Sequence, residues 1–162
     1  MRLAALLPLL LLTACSGGEM SVRQQFLAQS STSVQFDTWV RSINNQNLDS
    51  LVLVYHQVPE LRVLNLDGSI SRGWEEASAY WAEFFEEVEI VNLVTDVHEI
   101  EVMAEDLVVM TFRYSLDTER NDGEPGAPSS GRGTMVWIRD TVDDFWKIHL
   151  QHLSVRNRPE VH

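Results

Sequence analysis

Two strand patterns near the C-terminus decide the fold: GTMVWIR at residues 133–139 and FWKIHLQHLS at residues 145–154. Apolar residues occupy both alternating sets of positions in the first stretch, which is typical of a strand that is covered on both faces. The five residues between the stretches are polar except for Val142 and suit a turn. We therefore expect the folded part of the chain to end in an antiparallel hairpin.

Upstream of this hairpin the sequence predicts further strands and three helices. A first strand at 61–64 turns at Asp67-Gly68 into Ile70, and longer strands cover 88–103 and 107–118, with a loop over 121–131. Apolar residues at helical spacing mark the helices, whose stripes are Phe36, Trp39, Val40 and Ile43; Leu48, Leu51, Val52 and Tyr55; and Trp74, Ala77, Trp81 and Phe84. These elements form an α+β layer in which the helices cover one sheet face. The apolar residues of the other face favour burial against a second copy, so we expect a homodimer.

The order of elements resembles the SnoaL-like branch of the nuclear transport factor 2-like superfamily. The resemblance rests on the Asp67-Gly68 turn with Arg72-Gly73 before the third helix, and on the closing strand, which ends in His152-Leu153-Ser154. It covers residues 33–157. It implies a cone-shaped, cystatin-like α+β fold, with a curved antiparallel sheet packed against three N-terminal helices, a deep pocket between the layers, and commonly a dimer through the outer face. The fold hosts isomerases, dehydratases, cyclases and plain binding modules, so it implies no single reaction.

The N-terminus has the order of a secretory signal, with Arg2 followed by an apolar run over 3–12 and by Thr13-Ala14-Cys15. The ending resembles a lipobox, in which the thiol of Cys15 receives lipid. The alternative is a free cysteine beside a cleavage site. Cys15 is the only cysteine, so the chain can form no internal disulfide. We expect residues 1–14 to be a signal peptide, 15–32 a lipidated flexible tether, 33–157 the domain and 158–162 a tail.

Charge and compartment limit the partners that the sequence predicts. The formal net charge of −12 disfavours nucleic acid and disfavours a domain lying flat on anionic lipid. Ser16 replaces the aspartate that tends to hold such lipoproteins in the inner membrane, so in a host with two membranes we expect the outer membrane, facing the periplasm. The partners expected are then the membrane through the lipid, and a small apolar molecule or a protein.

His152 is the first candidate for chemistry, because regular alternation places it on one strand face with Trp146, Ile148 and Leu150. Facing the pocket, it can accept a proton or contact a ligand; the alternative is a structural histidine bonded to backbone or Ser154. Asp96 and Tyr55 are the other catalytic candidates. The full set expected to bind ligand is Trp39, Tyr55, Trp81, Arg113, Tyr114 and His152, although aromatic residues at helical spacing are more often core.

The sequence carries no spacing typical of a metal site, a nucleotide loop or an acyl-enzyme nucleophile, so we expect no metal and no cofactor. Two functional hypotheses remain open. One is a binding or assembly module on a membrane tether. The other is an enzyme of the isomerase, dehydratase or cyclase kind that uses His152 with Asp96 or Tyr55, and it requires these groups to reach one cavity atom.

Overall fold

The computed structural model describes residues 20–126 and 129–156. The predicted signal peptide, Cys15 and the tail lie outside these residues. The elements, in chain order, are α1 (Val22–Asn44), α2 (Leu48–Val54), β1 (Arg62–Leu64), β2 (Ile70–Arg72), α3 (Gly73–Glu87), β3 (Val88–Ala104), β4 (Leu107–Arg120), β5 (Ser129–Arg139) and β6 (Trp146–Val155). The three predicted helices and the curved sheet of an α+β fold are therefore present.

Helix α1 begins at Val22, so the expectation of a flexible tether as far as residue 32 is wrong for residues 22–32. A capping box fixes this start: the Ser21 side chain accepts from the backbone N–H of Gln24, and the Gln24 side chain accepts from the N–H of Ser21. Ala28 and Thr32 are already buried against the rest of the protein. Packing and capping together extend the helix through a polar stretch.

The six strands form one sheet in the order β2-β1-β6-β5-β4-β3. All neighbours are antiparallel except β1 and β6, which are parallel. The sheet is therefore mixed, and the expectation of a wholly antiparallel sheet is wrong at this one pair. Strand β5 also begins at Ser129, earlier than the predicted position 133, because its first residues pair with the far end of β4.

Irregularities in strand pairing bend the sheet around the helices. Strand β3 shifts register against β4 near Val88, Val97 and Val102, and β6 shifts against β5 between Val136 and Trp137. An extra residue on one strand of a pair increases local twist and bend. The concave inner face packs against the helices, with the β4 residues Val108, Met110, Phe112, Tyr114 and Leu116 all buried.

Aromatic side chains from α1 and the sheet fill the centre of the cone. The rings of Phe36 and Phe112 meet edge to face with centroids 4.9 Å apart, and Trp39 contacts the same ring at 6.0 Å. Gly133 makes room for Phe112, because a Cβ at Gly133 would lie 2.0 Å from the ring. The deep part of the cone is thus occupied by the protein's own side chains.

Candidate functional site

The hydroxyl group of Tyr55 is the centre of a buried hydrogen-bond network at the base of the cone. It accepts from the indole N–H groups of Trp39 (3.0 Å) and Trp81 (3.1 Å), and it donates to Oε1 of Gln151 (2.6 Å). All four side chains are buried. Both lone pairs and the proton of the hydroxyl are used, so a ligand atom can reach it only by displacing one of these partners.

Burial raises the pKa of Tyr55 well above its ordinary value, although its hydrogen bonds act in the opposite direction. The phenol therefore stays protonated at physiological pH. Because that proton is already committed to Gln151, the geometry gives Tyr55 a structural role. The Nε2 atom of Gln151 is buried and has no hydrogen-bond partner among the described residues.

The prediction that His152 faces the pocket is wrong, because its side chain is exposed on the opposite, outer face of the sheet. Leu150 pairs with Val136 while Ile148 pairs with Trp137, so His149 is an extra residue on β6. This β-bulge reverses the alternation beyond it. Gln151 and Leu153 therefore take the inward positions that regular alternation assigns to Leu150 and His152.

Asp96 and Arg113 also lie on the outer face, and both are exposed. They are register partners across β3 and β4. Strand parity alone leaves the face of Arg113 open, and the structure places it outside the inner pocket; Asp96 cannot share a cavity with Tyr55. The three catalytic candidates diverge: His152 and Asp96 point outward while Tyr55 is sealed inside. No acid and base from this set can reach one substrate atom.

Tyr114 does lie on the inner face, as the sequence predicts, beside Trp39 and Trp81. These three residues line an apolar cleft that is completed by Ile43, Leu66, Phe84, Leu93, Leu116 and Leu153. Its internal volume is only about 10 Å³, the minimum for one water molecule. Burial raises the pKa of Tyr114, whose hydroxyl donates to the carbonyl of Ser154 at 3.1 Å.

A larger concave surface, the α1 groove, lies between the first half of α1 and the β5–β6 turn. Its volume is about 410 Å³, within the range of small-molecule sites. Its lining is Met20, Gln24, Leu27, Ala28, Ser31, Val34, Gln35, Glu105, Arg139, Asp144, Phe145 and Trp146. At the rim, Arg139 forms an ion pair with Asp144: Nη2 donates to Oδ2 at 2.8 Å, and Nε lies 2.7 Å from Oδ1. Sequence reasoning missed this site because it assigned the start of α1 to the tether, although Ser21-x-x-Gln24 signals a helix start.

His56 and His149 form a pair that the sequence did not predict, with their Nδ1 atoms 3.1 Å apart. One ring must donate and the other accept, so the pair holds at most one proton between these atoms. Burial and the neighbouring His56 lower the pKa of His149. The two residues meet because the backbone N–H of His56 donates to the carbonyl of Ile148.

The part of the chain that the structure describes contains neither a metal-binding cluster nor a helix suited to span a membrane. Among residues 20–126 and 129–156, no group of three or more metal-binding side chains is close enough to hold an ion. Within the same part of the chain, no helix combines the length and the apolar character needed to cross a bilayer.

Solved structures share this architecture over most of the chain. A nuclear transport factor 2-like superfamily protein from Salmonella enterica serovar Typhimurium superposes with a TM-score of 0.75 at 18% identity, covering 85% of this chain and 96% of that one. A protein from Novosphingobium aromaticivorans described as a "putative scytalone dehydratase" gives 0.75 at 10% identity, covering 88% and 93%. A "putative dehydratase" of the same superfamily from Streptomyces avermitilis gives 0.72 at 14%, covering 83% and 99%. At these identities the likeness establishes the fold alone.

No curated protein matches the chain significantly. The family profile described as a SnoaL-like domain, however, matches residues 34–157. That span runs from the middle of α1 to just past β6 and includes the whole sheet. The chain therefore belongs to the SnoaL-like domain family, within the nuclear transport factor 2-like fold.

Proposed function

We propose that this protein is a membrane-tethered binding module that holds a small apolar ligand in the α1 groove. The observation that carries the proposal is the contrast between its two apolar concavities. The inner cleft has about 10 Å³ of free space, whereas the α1 groove has about 410 Å³. A ligand of ordinary size fits the second without rearrangement of the core.

The chemistry of the α1 groove supports an apolar ligand with a polar end. Leu27, Val34 and Phe145 line it and are 52%, 60% and 56% exposed, a costly arrangement for large apolar side chains that face water. Covering them with a ligand stabilises the complex by about 25 cal/mol for each square ångström of apolar area buried. The amides of Gln24 and Gln35 offer hydrogen bonds at the edge.

A pair of variants of α1 tests this proposal with the fluorescent probe 1-anilinonaphthalene-8-sulfonate. Leu27→Gln removes apolar lining from the α1 groove, so we expect about a tenfold loss of probe affinity. Val22→Gln is the matched control, because Val22 is 83% exposed on the same helix but does not line the groove. Equal affinities in both variants would refute the assignment. A co-purified protein that blocks probe binding to the α1 groove would assign the surface to a protein partner instead.

The proposed tether rests on the sequence of residues 1–15. We propose that lipid on Cys15 anchors the chain in the outer membrane, facing the periplasm, and that the α1 groove then lies close to the membrane, since α1 begins a few residues after Cys15. In Cys15→Ser the thioether cannot form. We expect this variant in soluble fractions or uncleaved. Membrane retention of a normally processed Cys15→Ser protein would contradict the anchor.

We further propose that the apolar half of the outer sheet face packs against a second copy. One cross-strand row reads Glu101, Val109, Val136, Leu150 and Arg62, with its apolar residues flanked by opposite charges. When two such rows meet antiparallel around a two-fold axis, each glutamate faces the partner's arginine. This complementarity supports a second copy as the occupant of the face.

The dimer is tested by sedimentation of the full chain at micromolar concentration. Val136→Glu places a carboxylate in the centre of the row, and we expect it to shift the protein towards monomer. Ser115→Glu is the control, because Ser115 is exposed on the same sheet face but lies outside the apolar row of Val109, Val136 and Leu150. A wild-type protein that sediments only as a monomer would contradict the proposal.

An enzyme of the isomerase, dehydratase or cyclase kind is the second candidate. It is favoured by the two similar structures described as dehydratases and by the aromatic cleft of Trp39, Trp81 and Tyr114. Such an enzyme would have to open the inner cleft and use groups other than His152 and Asp96. Two results together would support an enzyme. Turnover would persist in the double variant His152→Ala, Asp96→Asn, and it would be lost in Leu153→Trp, which fills the inner cleft.

A further inference from the structure

Three arginines lie together at the polar end of the outer sheet face. Arg113 on β4 and Arg132 on β5 are direct register partners, so their side chains stand on the same face of adjacent strands. Arg156 follows β6, and its backbone N–H donates to the carbonyl of Ser130, two residues before Arg132. All three side chains are exposed. Together they line one depression of about 680 Å³, which we call the arginine depression.

In the part of the chain that the structure describes, no carboxylate forms an ion pair with an arginine of this cluster. Among the described residues, the ion pairs within 4.0 Å are made by Arg120, Arg139 and Lys147, none of which belongs to the cluster. Like charges directly opposite each other on neighbouring strands destabilise a sheet. The chain has 24 acidic residues but only 12 lysines and arginines. Three of these few cationic side chains are nevertheless placed together without an ion pair to a carboxylate.

The surroundings of the arginines suit an oxyanion. The lining adds Ser130 and Ser154, with Tyr114, Gly131 and Val155. The hydroxyl of Ser154 donates to the backbone carbonyl of Arg132 at 3.0 Å, which leaves its oxygen as an acceptor and the arginines as the donors. Arginine presents a planar fork of N–H donors that matches phosphate oxygens in pairs. Asp96, the register partner of Arg113 on β3, carries an opposing charge on the side away from Arg132.

We propose that the arginine depression binds the phosphate group of a small phosphate ester. Arg132 lies at the centre, between Arg113 across the strand pair and Arg156 along the edge, and makes the main contact. Asp96 limits the affinity by competing for Arg113. The depression is several times larger than a phosphate ion, so it accommodates the organic part of the ester as well. This site is independent of the α1 groove, which shares no residue with it.

Calorimetry of the full chain with inorganic phosphate, at fixed ionic strength set with chloride, tests the site. We expect saturable binding to the wild type and at least about a tenfold weaker Kd in Arg132→Gln. Arg23→Gln removes the same charge from an exposed position on α1, and we expect it to bind within about twofold of the wild type. Asp96→Asn should bind phosphate more tightly than the wild type. Equal binding by Arg132→Gln, Arg23→Gln and the wild type would overturn the proposal.

Melting temperatures give a second readout that a merely structural arginine would not produce. Without phosphate, Arg132→Gln should melt at or above the wild-type temperature, because the opposition to Arg113 is relieved. Added phosphate should raise the melting temperatures of the wild type and Arg23→Gln by more than that of Arg132→Gln, because a ligand that binds the native state stabilises it. Phosphate also stabilises proteins in general because it is excluded from their surface. An equal rise in melting temperature in all three proteins would reflect this general effect and would refute the site.

The source of the phosphate is distinguished with glycerol 3-phosphate and with vesicles of phosphatidylcholine containing phosphatidylglycerol. Competition by glycerol 3-phosphate in calorimetry supports a soluble ester. In a second outcome, the wild type binds the vesicles, Arg132→Gln does not, and free phosphate does not compete. This result would assign the arginines to a membrane surface and would overturn the proposal of a soluble ester. Loss of the dimer in Arg132→Gln, without a change in phosphate binding, would mean that the partner copy's carboxylates occupy the depression.

Discussion

Replacing Tyr55 with phenylalanine tests whether the base of the cone is a structural network or an exposed chemical group. The change removes one oxygen and leaves the ring in place. It deprives the indole N–H groups of Trp39 and Trp81 of their acceptor and Oε1 of Gln151 of its donor. Leaving one buried polar group without a partner costs about 1 to 3 kcal/mol.

Because the three stranded groups share one site and can partly relax, we expect a total loss of about 3 kcal/mol in the free energy of unfolding. For a protein of this size that corresponds to a fall of roughly 6 to 12 °C in melting temperature. Tyr114→Phe is the matched control, because it removes a single hydroxyl bond to the carbonyl of Ser154. Chemical and thermal unfolding followed by tryptophan fluorescence measures both variants. If Tyr55→Phe melts within about 2 °C of Tyr114→Phe, the network reasoning is refuted.

Two titrations follow from the pKa shifts. All three tyrosines have a raised pKa, Tyr80 to about 12 through burial, so their contribution to stability is complete below the ordinary value of 10.0 and is lost as the pH rises above it; absorbance at 295 nm should show phenolate appearing together with unfolding. Phenolate formation near pH 10 in a protein that stays folded would contradict this. Because the pKa of His149 is lowered, its neutral ring stabilises the fold above pH 6.5, and this stability is lost as the pH falls; His149→Gln should therefore flatten the acid side of the stability profile relative to the wild type. Parallel profiles for this variant and the wild type would rule out the His56–His149 pair as the cause.

Much of the fold was predictable because hydrophobic period and burial agree over long stretches. The alternation in β4 and β5 predicts which residues share a face, and the structure places Met110, Phe112 and Met135 in the core and Val109 and Val136 on the outer face. The α3 stripe correctly places Ala77 and Trp81 inside. Each step along these strands changes face without interruption, so the sequence alone groups the residues by face, although both groups are apolar and only the structure shows which group meets the helices.

The lining of the inner pocket was much less predictable, because the faces of its β6 residues depend on a single local irregularity. The bulge at His149 inserts one residue into β6, which exchanges the faces of everything from Leu150 onwards. In Leu150-Gln151-His152-Leu153, each of the two alternating sets of positions holds one apolar and one polar residue. The sequence therefore does not indicate which set faces the core. The histidine that the family resemblance places in the pocket is therefore outside, and Gln151 takes the buried position beside Tyr55.

Chemical-shift mapping of 1-anilinonaphthalene-8-sulfonate on the isotope-labelled protein shows directly where the ligand binds. We expect shifts to change along the α1 groove, at Leu27, Val34 and Phe145, while the indole signals of Trp39 and Trp81 stay fixed because their bonds to Tyr55 are undisturbed. Shifts confined to Trp39 and Trp81, with the α1 groove unchanged, would place the ligand inside the cone and contradict binding in the α1 groove.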